Sequence, residues 1–169
     1  SYTDALTGLP NRRAIFEDLT TLFSLARHLK RNAIIAFIDL DDFKLINDRY
    51  GHEAGDQFLI EVGKRLTEEK QQDDIIGRLG GDEFLVASLS QPHQDGDNAQ
   101  LTLLKTRLSA CIAGEYWLGS VHIIYPGASF GVIEVDRAAT DPDSALRAAD
   151  VAMYQDKKGK SKSRFLTID

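Results

Sequence analysis

Apolar positions in the first half of the chain follow two different periods. Between residues 15 and 26 they recur every three or four residues, which predicts an amphipathic helix that Asn11 can cap. Residues 33–40 (AIIAFIDL) form one apolar run interrupted only by an acid near its end, a pattern typical of a strand buried on both faces. A second helical stripe covers residues 58–66. The first half therefore predicts a helix, a buried strand and another helix.

The second half predicts shorter strands separated by turns, with two further helices. A β-hairpin over residues 75–89 turns at two adjacent glycines, and a polar loop follows at 90–98. The remaining predicted elements are a helix at 101–111, strands at 121–125 and 128–135, and a last helix from Asp141-Pro142 to about Lys157. Together these elements predict an α+β sandwich with a mixed, mostly antiparallel sheet flanked by helices.

Size, charge and cysteine content narrow the class of protein. The chain has 169 residues, 43% of them hydrophobic, which is enough for the core of a single domain. A net charge of −6 argues against nucleic acid or an anionic membrane surface as the main partner. Cys111 is the single cysteine, so we expect a reducing, cytoplasmic location. No apolar run could span a bilayer, and we expect the domain to come from a longer protein whose sensor or anchor lies outside this chain.

A first group of acids stands where the buried strand ends. Asp39, Asp41 and Asp42 occur within four residues. A carboxylate at the end of a buried strand is costly unless something compensates its charge, and a divalent cation does so. The alternative is an acid that only caps the next segment, and this is the better account of any one of the three.

A second group of acids lies in the hairpin turn, in the pentapeptide GGDEF at residues 80–84. The glycines allow a sharp turn and the close approach of a bulky ligand. The alternative is an ordinary hairpin turn with acidic tips. Taken together with Asp39, the adjacent acids Asp82 and Glu83 could share a metal ion, as sites of phosphoryl and nucleotidyl transfer require.

Residues 80–84 spell the name motif of the GGDEF family of diguanylate cyclases, which the chain resembles from about residue 4 to 164. The other matching segments are residues 4–13 (DALTGLPNRR), 39–56, 129–132 (SFGV) and 149–154 (ADVAMY). The resemblance implies a palm-like fold, related to adenylyl cyclases and polymerase palms. It also implies that two GTP are condensed into cyclic di-GMP with release of two pyrophosphates, by a transient face-to-face homodimer that uses Mg²⁺ (or Mn²⁺).

The resemblance assigns the acidic groups their roles. Asp39, Asp82, the main-chain carbonyl of Leu40 and Glu83 are implied as metal ligands. Either Asp82 or Glu83 would assist in deprotonating the 3′-hydroxyl of GTP, so both are candidate catalytic residues.

The resemblance also implies a guanine-binding pair, Asn47 and Asp56. A carboxylate accepts from the guanine N1–H and amino group, and an amide can pair with another edge of the base. Each residue has an ordinary alternative, Asn47 in a turn and Asp56 as an acid in the first turn of a helix. His52 matches a histidine close to the substrate, although a single loop histidine is more often incidental.

The phosphates of GTP have a separate set of implied contacts. The main-chain amides near Asp42 and Phe43 would hold the terminal phosphates. Lys157 matches a lysine that reaches the triphosphate from the end of the last helix. The second basic position is displaced relative to the family pattern, so either Lys160 or Lys162 fills it.

One departure from the family concerns regulation. Many members carry an Arg-x-x-Asp motif shortly before the two glycines, where cyclic di-GMP binds and inhibits. Here Asp74 is present, but Gln71 stands in place of the arginine. Glutamine has neither the charge nor the planar fork of arginine, so we expect product inhibition at this position to be lost or weakened.

Other functions fit the sequence less well. A non-catalytic module of the same fold, binding GTP or cyclic di-GMP and signalling through a partner, is the main alternative to the enzyme. A cyclase of the same fold that makes another cyclic nucleotide is a further alternative: Asn47 and Asp56 favour guanine and so disfavour ATP, but they leave hybrid products open. A purely structural interaction module does not explain the clustered acids and glycines. Beyond GTP and a second copy of the domain, we expect neither nucleic acid nor a membrane as partner.

Overall fold

The computed structural model describes residues 1–160 and the main chain of residues 166–168. The helices and strands follow one another along the chain in the order α1 (Arg12–Leu29), β1 (Ala33–Asp39), α2 (Phe43–Tyr50), α3 (His52–Glu69), β2 (Ile75–Gly80), β3 (Glu83–Leu89), α4 (Ala99–Ile112), β4 (Gly114–Leu118), β5 (Val121–Tyr125), β6 (Ser129–Val135), α5 (Pro142–Lys158) and β7 (Leu166–Ile168). The fold is α+β, as predicted.

The strands form two sheets rather than one. The central sheet has the order β2-β3-β1-β6, and β4-β5-β7 form a second, smaller sheet. Every pairing between the strands that the structure describes is antiparallel, so the expectation of a mixed sheet was wrong in this detail. The strands predicted near 121–125 and 128–135 both form, but they lie in different sheets.

Helices cover both faces of the central sheet. All seven residues of β1 are buried, because α1 and α5 pack on one face while α3, α4 and the small sheet pack on the other. Side chains of a strand alternate between the two faces. Ile35 and Phe37 of β1 therefore contact the α1/α5 side, and Ala36 and Ile38 the other side.

A glycine brings the last helix close to the sheet. A Cβ at Gly131 of β6 would lie 1.9 Å from the carbonyl oxygen of Ala149 in α5, so only glycine permits this approach. Asp156 at the end of α5 accepts a hydrogen bond of 2.8 Å from the main-chain N–H of Phe130. The carboxyl-terminal end of α5 is thereby held beside the end of β1.

Three elements were absent from the expectations based on sequence. Residues 43–50 form α2, which was expected only as a short connecting segment, and β4 and β7 were not predicted. Ile46 is the only fully buried residue of α2, and eight residues make only about two helical turns, which is too short for the helical period to be recognised in the sequence. Within the described residues, no helix has the length and apolar character that crossing a membrane would require.

Candidate functional site

Two acidic groups meet where the central sheet ends. In the pairing of β1 with β3, Asp39 lies directly opposite Glu83, and the main-chain N–H of Leu40 donates to the carbonyl oxygen of Asp82 at 3.1 Å. The turn that brings Asp82 there requires φ values of 140° at Gly80 and 49° at Gly81, which residues with a side chain rarely adopt. Asp39 of the first acidic group thus lies beside Asp82 and Glu83 of the second, and these three residues form the acidic cluster of the site.

The carboxyl group of Asp39 is poorly compensated. Only 9% of the residue is exposed, and its Oδ1 atom is buried without a hydrogen-bond partner among the described residues. Burial raises the pKa of Asp39 to about 6, and the negative charge of Asp82 adds to this effect. Lys157 opposes the rise from 3.7 Å (Nζ to Oδ2). Burial and the charge of Asp150 also raise the pKa of Glu83.

Such a cluster suits a cation that binds oxygen. A divalent ion would supply the charge that Asp39 lacks, and carboxylate and carbonyl oxygens are the ligands that Mg²⁺ prefers. In residues 1–160, no three histidine, cysteine or carboxylate side chains converge as they would around a bound metal ion. The expected ligands also include the main-chain carbonyl oxygen of Leu40, which is not a side chain. The fit of a cation to this site rests on two observations: Oδ1 of Asp39 has no hydrogen-bond partner among the described residues, and the carboxylates of Asp39 and Asp82 repel each other.

A strained loop follows the acids and opens α2. Asp42 takes a left-handed conformation with φ of 61°, which is unusual for a residue with a side chain, and no side chain caps the helix. The N–H of Phe43 makes a long hydrogen bond of 3.4 Å to the carbonyl oxygen of Leu40. The ring of Phe43 lies 6.4 Å from that of Phe58, so its side chain faces the core while its main chain borders the site.

The two expected phosphate-binding lysines differ in their surroundings. Lys157 is about half exposed and faces Asp39. Lys160 instead donates to Asp41 at 2.8 Å and to the carbonyl oxygen of Ala128, so its ammonium group is already engaged. Asp41 is itself buried and accepts from Ser129 at 2.7 Å. Lys162, the alternative to Lys160, lies outside the described residues.

The two residues expected to bind guanine lie next to each other. A Cβ at Gly55 would be 1.8 Å from Oδ1 of Asn47, so the side chain of Asn47 rests directly on the glycine that precedes Asp56. Asp56 and His52 are both exposed on α3. The contact between Asn47 and Gly55 was not foreseen, although a glycine within a helix is a signal of close approach.

Sequence reasoning also missed the arginine that holds the hairpin turn. Arg78 donates to the carbonyl oxygen of Gly81 through Nε (3.0 Å) and Nη2 (2.8 Å), and its Nη1 contacts both oxygens of Asp4 at 3.1 Å. Asp4 also accepts from the N–H and hydroxyl of Thr7. The amino-terminal segment is thereby joined to the turn that carries Asp82.

Comparison with known proteins shows which family the chain belongs to. The family model described as "Diguanylate cyclase, GGDEF domain" matches residues 1–163. The chain belongs to this GGDEF family. It is similar to a solved structure of a sensory box/GGDEF family protein from Caulobacter crescentus CB15, with a TM-score of 0.86 and 31% sequence identity. That match covers 95% of this chain and 100% of the other.

Two curated relatives of the chain are named for different activities. The chain is 63% identical over 166 residues to diguanylate cyclase DgcP of Escherichia coli (strain K12), covering 98% of this chain and 47% of that protein. It is 35% identical over 158 residues to cyclic di-GMP phosphodiesterase PdeR of the same organism, covering 93% of this chain and 22% of PdeR. The chain thus spans less than half the length of either relative.

Proposed function

We propose that this GGDEF domain is a diguanylate cyclase that condenses two GTP into cyclic di-GMP and releases two pyrophosphates. The observation that carries the proposal is the buried, poorly compensated carboxylate of Asp39, directly opposite Glu83 and facing Lys157. An oxygen-binding cation and a triphosphate would together complete this charge arrangement. The 63% identity to a protein named diguanylate cyclase supports the same activity.

Asp39, Asp82, Glu83 and the carbonyl of Leu40 would hold Mg²⁺, which supplies a Lewis acid for the phosphate groups when bound. Lys157 would orient the triphosphate from the other side. The first turn of α2 would contribute the main-chain amides of Asp42 and Phe43, near the positive end of the helix dipole. Lys160 would join them only after leaving Asp41.

The reaction joins the 3′-oxygen of one GTP to the α-phosphorus of the other. The bond from that phosphorus to the bridging oxygen of pyrophosphate breaks, and pyrophosphate leaves with the electron pair. The proton of the 3′-hydroxyl passes to a carboxylate, for which Glu83 and Asp82 are the candidates. Burial raises the pKa of Glu83, which makes it a better proton acceptor than an ordinary glutamate.

Two copies of the domain would have to face each other, because each site holds one GTP and each cyclic di-GMP is built from the GMP units of two GTP. Asn47 and Asp56 would select guanine, and His52 would lie beside the substrate. Since GTP is a cytoplasmic nucleotide, we propose that the domain acts in the cytoplasm, as part of a longer protein.

The test is turnover of GTP with Mg²⁺ over a range of protein concentrations, with products separated by chromatography. We expect cyclic di-GMP, with specific activity rising with concentration as the domains pair. Asp82→Ala should lower turnover by about 100-fold or more. The control Asp95→Ala, which removes an acid from the exposed 90–98 loop, should behave like the parent. Activity of Asp82→Ala equal to that of the parent would contradict the proposed role of Asp82.

The second candidate function is a GTP- or cyclic di-GMP-binding module that signals without catalysis. It is favoured by the relationship to PdeR, a protein named for a different activity. GTP binding without product, even at high protein concentration, would establish this alternative.

A further inference from the structure

A small crevice of about 230 Å³ lies between α1 and α5, beside Glu83. Its lining includes the apolar side chains of Phe16 and Leu79 and the charged side chains of Arg12, Glu83, Arg147 and Asp150. None of the roles assigned above uses this crevice, although it shares Glu83 with the acidic cluster.

Arg12 is the residue of the crevice whose N–H donors are available to a ligand. It is the first residue of α1, is exposed, and lies over the ring of Phe16 with its guanidinium carbon 5.6 Å from the ring centre. It forms no hydrogen bond or ion pair with any other residue of the described chain. Arg12 lowers the pKa of Glu83, which shows that its charge is close to that carboxyl group. Its five N–H donors match the geometry of a phosphate.

Arg147, the other arginine of the crevice, is partly engaged. It donates to the hydroxyl of Ser144 at 3.2 Å and lowers the pKa of Asp141, so it belongs to the start of α5. Arg12 is therefore the better candidate for binding an anion in the crevice.

The position of Arg12 along the edge of the sheet indicates which anion it would meet. The cations expected to hold the domain's own triphosphate lie toward β6, since Lys157 faces Asp39 and Lys160 contacts the residue just before β6. The crevice is lined by Leu79 of β2, by Glu83 of β3 and by the first half of α5 up to Asp150, whereas Lys157 lies in the last turn of that helix. The carboxylates therefore separate Arg12 from the domain's own phosphate contacts.

We propose that Arg12 binds the α-phosphate of the GTP held by a second copy of this chain, at the point where that phosphate approaches Glu83. The inference rests on the proposed function and extends it. As the 3′-oxygen bonds to the α-phosphorus and pyrophosphate departs, negative charge grows on the non-bridging oxygens. The guanidinium fork of Arg12 neutralises this charge while the proton of the 3′-hydroxyl passes to a carboxylate.

Three variants test this role: Arg12→Gln, Arg12→Lys and the control Arg13→Gln. Arg13 is an exposed neighbour whose guanidinium lies over the ring of Tyr2, away from the crevice. Three quantities are measured. They are the affinity for a non-hydrolysable GTP analogue with Mg²⁺ at protein concentrations where the domain is monomeric, the dimerisation that the analogue induces by sedimentation velocity, and the turnover of GTP.

For Arg12→Gln we expect unchanged affinity of the monomer for the analogue, weaker analogue-induced dimerisation, and turnover reduced by about 30-fold or more. Arg12→Lys should recover part of the loss, because it keeps the charge without the fork. Arg13→Gln should match the parent in all three measurements. This pattern separates a contact across the dimer from a contact within one subunit.

Parent-like dimerisation and turnover in Arg12→Gln would overturn the inference and leave the proposed function intact. Equal losses of monomer affinity and turnover would also overturn it, by placing Arg12 on the domain's own nucleotide. A parent that binds the analogue and makes no cyclic di-GMP refutes the proposed function, while analogue-induced dimerisation still decides the role of Arg12. A parent that binds no analogue overturns both.

Discussion

At the scale of single residues, the site is built from groups whose surroundings oppose their charge or their conformation. Asp39 is buried, faces two further acids, and has no hydrogen-bond partner for its Oδ1 atom in the part of the chain that the structure describes. Asp42 holds a left-handed main chain. Such local costs are tolerated where the surrounding fold enforces them, and they are characteristic of ligand-binding sites.

Asp39→Asn should stabilise the metal-free domain while abolishing its response to Mg²⁺. The pKa of Asp39 is raised to about 6, so its ionisation at pH 7 costs the folded state free energy. Removing the charge should raise the free energy of unfolding by about 1–2 kcal/mol in EDTA. Thermal unfolding of parent and variant, with and without Mg²⁺, measures both effects. An Asp39→Asn domain that is less stable in EDTA and still responds to Mg²⁺ would show that the carboxylate is not the cation ligand.

Gly55→Ala should displace Asn47 and weaken GTP binding. The new Cβ would lie 1.8 Å from Oδ1 of Asn47, so the amide has to move. We expect affinity for GTP to fall about 10-fold or more, consistent with loss of one buried hydrogen-bonding group. Gly63→Ala on the same helix is the control, since its Cβ would be 3.4 Å from Leu9. Equal GTP affinity of the two variants, measured by calorimetry, would argue against a role for Asn47.

At the scale of elements, the hairpin of β2 and β3 depends on a contact with the start of the chain. Arg78→Gln should lower the free energy of unfolding by about 2 kcal/mol, because it breaks a largely buried ion pair with Asp4 and the bonds to Gly81. Arg107→Gln, which breaks a more exposed pair with Glu69, should cost less than about 1 kcal/mol. Chemical denaturation measures the free energy of unfolding of both variants. A larger loss in Arg107→Gln than in Arg78→Gln would mean that the contacts of Arg78 with Asp4 and Gly81 contribute little to stability.

The 90–98 loop has a tether sensitive to pH. The Nδ1 and Nε2 atoms of His93 each lie 2.7 Å from an acceptor, the carbonyl oxygen of Gln94 and the carboxylate of Glu134. Only the doubly protonated ring can donate to both acceptors. The hydrogen bond to Gln94 has the largest effect in raising the pKa of His93. The hydrogen bond to Glu134 and the negative charges of Glu134 and Asp97 add to the rise.

Because the folded-state pKa is raised, the tether contributes stability below the ordinary histidine pKa of about 6.5 and loses it as pH rises through the raised value. Hydrogen exchange of residues 90–98, corrected for intrinsic pH dependence, should therefore show protection that falls with rising pH. His93→Gln should remove this dependence. A parent loop with the same protection at pH 5.5 and pH 8.5 would contradict the prediction.

At the scale of the whole molecule, the surface that carries Gln71 is where product inhibition by cyclic di-GMP is expected to be lost or weakened. The residue 71–74 turn is closed on itself, since the carboxylate of Asp74 accepts from the N–H of Gln71 at 3.0 Å. Gln71 is exposed and uncharged. Weak product inhibition remains a prediction, which the turn geometry does not test.

We expect Gln71→Arg to raise the affinity for cyclic di-GMP by about 10-fold or more, because a bidentate, charge-assisted contact is added. Binding is measured on protein freed of pyrophosphate, with Asp74→Ala in the Gln71→Arg background as control. Tight binding by the parent itself, lost in Asp74→Ala, would show that the glutamine does not disable the site.

Much of the fold followed from local pattern. The stripe of α1 and its Asn11 cap, the continuous apolar run of β1 and the Asp141-Pro142 start of α5 were predicted, and the structure contains each of them. The short α2 and the strand β4 were missed, because segments of eight and five residues are too short for a helical or strand period to be recognised.

The sequence by itself determined the family, the α+β class and the residues that carry acidic chemistry, since these depend on motifs and periods within short stretches. Tertiary structure alone decided which groups meet. It paired Lys160 with Asp41, 119 residues apart, and Arg78 with Asp4, 74 residues apart. It also placed Arg12 beside Glu83. Strand register and helix packing create these contacts, and no local pattern encodes a distance between segments that lie far apart in the chain.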